Sequence, residues 1–145
     1  MTIAYFIGHA VTEAVSPGTE RSNEDGSVSI RDRAFTDIVV SSEPAIAGRN
    51  VPVLNIDLDP STGTGKLSGR FELRPDALQG AWNGELSGSI ENGLVIASGL
   101  AVGSMALVNK TLRIDFRQIE KLPFESPCRD PKAFFEINGM ILQQS

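Results

Sequence analysis

The sequence predicts an all-β fold, an eight-stranded antiparallel barrel, with a β-sandwich as the alternative. Three observations carry that expectation. Gly and Pro, 14 and 8 of 145 residues, are spread along the whole chain. Long helices do not tolerate this, since a helical Gly costs about 1 kcal/mol and a helical Pro about 3 relative to Ala. Apolar residues recur with period two, the period of a strand, and no stretch keeps a helical three-four spacing. Turn dipeptides, above all Asn92-Gly93, separate the alternating runs.

Ile3–Val11 is the first expected strand, with Tyr5, Ile7, His9 and Val11 on its inward face. Glu13–Gly26 is polar, holds Pro17-Gly18 and Asp25-Gly26, and reads as a surface connection. Ser27–Val40 reads as a long, bent strand with Val28 and Ile30 on one face ahead of Phe35, and Ser41–Gly48 turns around Pro44. Val51–Leu58 sets Leu54, Ile56 and Leu58 against Asn55, Asp57 and Asp59, and Pro60–Gly65 supplies turn chemistry. Lys66–Arg74 points Leu67, Phe71 and Leu73 inward and Arg70, Glu72 and Arg74 outward. Gly80–Ile90 groups Trp82, Leu86 and Ile90, and a type I′ turn at Asn92-Gly93 leads into the apolar strand Gly93–Gly103. Thr111–Gln118 sets Leu112, Ile114 and Phe116 against Arg113, Asp115 and Arg117. A Pro-rich loop, Leu122–Pro131, carries Cys128 before the closing strand Phe134–Leu142. Closure into a barrel leaves no open edge to pair with another chain. Glycines four apart (Gly65 and Gly69; Gly80, Gly84 and Gly88; Gly99 and Gly103) share a face. They relieve either sharp coiling or close packing beneath an aromatic such as Trp82.

The length fits one domain spanning residues 1–145. A net charge of −5 lacks the basic footprint of a general nucleic-acid binder. One His and one Cys exclude a Cys/His zinc site and an intrachain disulfide, so no metal or cofactor is expected. No apolar run approaches the roughly 20 residues that span a bilayer as a helix, and no membrane partner is expected. Met1–Ala10 has no basic residue and does not read as a targeting segment. The unpaired Cys128 points to a reducing, cytoplasmic setting.

Few motifs carry chemistry. Gly63-Thr64-Gly65-Lys66 has Pro60 and Leu67 where a phosphate loop needs Gly and Ser or Thr, so it reads as a hairpin turn. Asn55, Asp57 and Asp59 begin like a calcium loop, but Pro60 and Lys66 stand where Gly and Glu are needed. Arg129 beside Cys128 favours the thiolate, yet no thiol-protease signature surrounds it. The charged rows Arg70/Glu72/Arg74 and Arg113/Asp115/Arg117 read as outward faces: solvated, ion-paired if the two strands are neighbours, or part of a subunit contact. Tyr5 and His9 are the most interesting polar pair. On an inward face they would set an imidazole and a phenol in an apolar cavity.

The run Gly63–Arg113, with its Gly-rich strand starts and the segment Gly80-Ala81-Trp82-Asn83-Gly84, resembles small bacterial β-barrels of unassigned role. More distantly it resembles the allene oxide cyclase and dirigent group. The resemblance implies an eight-stranded, often oligomeric barrel whose apolar lumen binds or cyclises a hydrophobic molecule. No matched motif transfers a catalytic residue. The leading expectation is therefore a small hydrophobic ligand in the lumen, contacted by Tyr5, His9, Phe71, Trp82 and Phe116. Isomerase- or cyclase-like chemistry there would be assisted by Tyr5 or His9. The alternative is a non-enzymatic structural or interaction module acting through homo-oligomerisation, because Gly93–Gly103 is apolar on both faces. A hydrolase using Asp57 and Asp59 comes third.

Overall fold

A computed structural model describes residues 1–144 of the chain. Its strands are β1 (Thr2–Ser16), β2 (Thr19–Ser22), β3 (Val28–Ser41), β4 (Gly48–Asp59), β5 (Thr64–Pro75), β6 (Trp82–Glu91), β7 (Leu94–Gly103), β8 (Lys110–Ile119) and β9 (Ala133–Gln143). Each strand from β3 to β9 pairs antiparallel with the next, and β9 returns to β1. The ring is closed by β1 against β3, which makes eight strands, with β2 as one extra strand along the rest of β3. The all-β barrel expected from the alternation is the observed fold, and the sandwich is not.

One ladder shows how strongly the strands are staggered. Ser16 pairs with Ala34, then the line runs through Val53, Arg70, Glu85, Leu100, Arg113 and Met140, and it re-enters β1 at Tyr5 rather than at Ser16. Such a stagger requires strands tilted about 35–45° to the barrel axis. At eight strands the interior is about wide enough for side chains to fill it.

They do fill it. Trp82, Phe71, Leu86 and Phe116 are all buried in one continuous core with Phe6, Leu54, Ile56, Leu73, Ile114 and Ile137. Gly99 and Gly139 make room for two of the rings. A Cβ on Gly99 would lie 2.7 Å from the Phe71 ring, and one on Gly139 would lie 2.8 Å from Cζ of Phe6. The aromatic-packing reading of the glycines therefore holds at Gly99, under Phe71 rather than Trp82, and Gly139, which the spacing did not single out, does the same for Phe6. One end of the barrel is stoppered by loop residues Ala45, Ile46 and Leu107, all buried. The buried Trp82 indole donates to the Ala45 carbonyl at 2.8 Å, satisfying the one polar atom the ring carries.

Three local departures from simple alternation shape the wall. On β3 the register against β4 shifts between Ile30 and Arg33, around Asp32 at φ 55°. The inward set passes from Val28 and Ile30 to Phe35, Asp37 and Val39. That is the bend expected in Ser27–Val40. On β1 a second irregularity falls between Thr12 and Ala14, opposite Asp37 and Thr36. The third concerns the segment expected as a polar connection: β1 runs on to Ser16, and β2 forms within Glu13–Gly26. Polar side chains are compatible with a strand whose outer face meets water, so composition alone misreads it. The Asn92-Gly93 turn has positive φ at both positions, 54° and 77°, as a type I′ turn needs.

Candidate functional site

Side-chain direction on β1 is the opposite of that expected. Phe6, Ala10 and Thr12 face inward and are buried, while Tyr5 and Ile7 point out, each 75% exposed. Both registers of this strand are apolar, so period two alone could not choose between them. His9 and Val11 lie on the outward face too, yet Val11 is fully buried. A loop covers this part of the wall: Lys132 N donates to the Thr12 carbonyl, and Phe124 meets His9 edge-on at 5.1 Å between centroids. Buried Leu122 belongs to the same loop. Tyr5 and His9 are thus outer-wall residues, whereas Phe71, Trp82 and Phe116 point inward as expected and serve as packing.

Inside the barrel one polar group of side chains is buried: Thr12, Asp37 and Asn50, on neighbouring strands of one ladder. The Thr12 hydroxyl donates to Asp37 Oδ1 at 2.7 Å. Burial pushes the Asp37 carboxyl up to about 6. Thr12 and, more weakly, the adjacent Asn50 amide pull it down, and the Glu13 carboxylate raises it further. Neither Nδ2 nor Oδ1 of Asn50 has a full hydrogen-bond partner among the described residues. The group was not legible in the sequence, where Asp37 and Asn50 look like ordinary strand polars.

The remaining candidates have structural engagements. Asp57 pairs with Arg31 at 3.0 Å on the surface. Asp59 accepts from Ser61 N and Oγ in the β4–β5 turn, which holds its carboxyl below the ordinary range. Cys128 is partly buried in its loop, and its Sγ lies 3.7 Å from the Ser126 hydroxyl. Among the described residues no cluster of three or more His, Cys, Asp or Glu side chains could hold a metal ion. No helix among them is long and apolar enough to cross a membrane.

What remains is the outer wall. On β7 the outward side chains Ile96, Leu100 and Val102 are all exposed, Leu100 at 68% and Val102 at 62%. Leu100 and Val102 lie in register with apolar outward residues of β1 and β9. Leu100 connects through Arg113 and Met140 to Tyr5, and Val102 through Thr111 and Leu142 to Ile3. An open concavity of about 1070 Å³ crosses this wall, lined by Val53, Arg70, Glu85, Leu100, Val102 and Arg113 among others. A second, of about 530 Å³, lies beside Ile7, His9, Val40 and Glu136. Both are hollows of the outside surface. Several outward charges elsewhere are paired, as in Arg74–Glu72, Arg49–Glu13 and Arg117–Glu136. Arg70, Glu85 and Arg113 around Leu100 form no ion pair among the described residues. The strands carrying the two expected charged rows, β5 and β8, are separated by β6 and β7, so the rows do not pair with each other.

Fold and surface together define a closed eight-stranded barrel with a packed interior and an apolar, partly unpaired outer wall. No family model, curated protein or solved structure matches the chain.

Proposed function

We propose that this protein is a non-enzymatic structural or interaction module that works by self-association through its outer wall. One observation carries the reading: large apolar side chains on β1 and β7 are solvent-exposed over a core that is already complete. A barrel gains no stability from apolar residues on its water-facing side, whereas an interface does. Hiding one large apolar side chain contributes about 1.5–3 kcal/mol. Leu100 and Val102 on β7, supplied by both copies, together offer several times that against the cost of association, roughly 4–15 kcal/mol.

A hydrophobic ligand in the lumen is the reading we place second. Trp82, Phe71, Leu86 and Phe116 occupy the space such a ligand would need, and Tyr5 and His9 face the other way. Of what the allene oxide cyclase and dirigent resemblance implies, the eight-stranded barrel is the observed part.

Multi-angle light scattering tests the proposal at micromolar concentration. An oligomer that dissociates in Leu100→Asp, with the far-ultraviolet spectrum unchanged, is expected. A wild-type protein that stays monomeric would overturn the reading.

A further inference from the structure

The charges around Leu100 specify how two copies would meet. Along the ladder the outward order is Arg113 on β8, Leu100 on β7 and Glu85 on β6. Over these three strands the line is positive, apolar, negative, and antisymmetric about β7; Arg70 follows on β5 and Met140 on β9. We infer that the partner of this wall is a second copy of the chain, related by a two-fold axis lying along β7, so that Arg113 of each copy meets Glu85 of the other. This rests on the self-association proposed above and adds its geometry.

A two-fold interface brings one patch against itself, so the patch must be self-complementary. Rotation about β7 exchanges the flanking strands β6 and β8. Arg113 then faces Glu85 twice, and Leu100 and Val102 face their own counterparts. The neighbouring lines raise no like-charge conflict. Asp115 falls opposite Ser87, Arg117 opposite Ser89, and Thr111 opposite Asn83. An axis perpendicular to β7 in the same plane would instead set Arg113 against Arg113 and Glu85 against Glu85. Of the two, only the first pairs Arg113 with Glu85; Arg70, the third charge there without an ion pair, falls opposite Met140.

Charge reversal in the full-length chain tests it, read by sedimentation equilibrium. Arg113→Glu and Glu85→Arg should each weaken the homodimer about tenfold or more, since each sets like charges together twice. Mixing the two variants should restore a heterodimer at least as tight as the wild type, because both contacts become opposite in sign again. Both positions are exposed, and thermal unfolding of each variant checks that the barrel is intact. A wild-type dimer indifferent to either reversal overturns this geometry and leaves self-association standing. Singles that dissociate but do not recover on mixing overturn it as well. A wild-type protein that never dimerises removes both the geometry and the proposed function.

Discussion

Asp37→Asn should make the barrel more stable at pH 8 and should remove most of the pH dependence of its stability between pH 4 and 7. Asp37 is buried, and its carboxyl is raised from 3.8 to about 6. Between those values the folded chain holds a proton that the unfolded chain has released. Stability from this group is therefore fully present below about pH 4 and is lost as pH rises through 6. By proton linkage the whole loss comes to about 3 kcal/mol. Asn keeps the shape and an acceptor for the Thr12 hydroxyl, and it has no charge to desolvate. The assay is urea unfolding at several pH values, followed by the fluorescence of Trp82, the single tryptophan, which is fully buried. The difference between variant and wild type should grow from near zero at pH 4 to about 3 kcal/mol at pH 8. Parallel curves across that range would refute the reasoning and mean that Asp37 is solvated in the folded protein.

Other substitutions probe separate parts of the molecule. Thr12→Val removes the one donor that bonds Asp37 Oδ1 and should cost about 1–3 kcal/mol, more at pH 8 than at pH 5, in the same unfolding assay. Gly99→Val drives a side chain into the Phe71 ring and should lower stability by about 1–3 kcal/mol; adding Phe71→Leu should return part of it in a double-mutant cycle. Leu122→Ala loosens the loop over Val11 and should destabilise by about 2–5 kcal/mol, with faster amide exchange at Val11 as the local readout. Val102→Asp should weaken self-association without lowering the thermal midpoint, because the side chain is exposed and lies outside the core.

Much of the fold was legible because β4, β5, β6 and β8 alternate cleanly, with one face of Leu, Ile, Phe or Trp and the other polar. Asn92-Gly93 fixed the β6–β7 hairpin through a backbone requirement that few residue pairs meet. The direction of β1 was not legible, since Phe6 and Ala10 compete with Tyr5, Ile7 and Val11 for the same interior. Tertiary packing decides it: Phe6 lies against Gly139, and the distant loop meets the outer wall through Phe124 at His9 and Lys132 at Thr12. The outer wall was half legible. The two-faced apolarity of Gly93–Gly103 marked β7, and Arg113 stands in a row that reads as a candidate subunit contact. That Leu100 joins Tyr5 across β8 and β9 depends on barrel closure, which pairs β9 with β1 and which no local pattern encodes.

Native mass spectrometry of freshly purified protein tests the central claim most directly, because it reports subunit number and any carried molecule together. A packed barrel that works through its outer wall predicts even-numbered assemblies whose mass is that of the chains alone. A monomer carrying a small apolar molecule would contradict it, since that molecule would need the space now filled by Trp82 and Phe71.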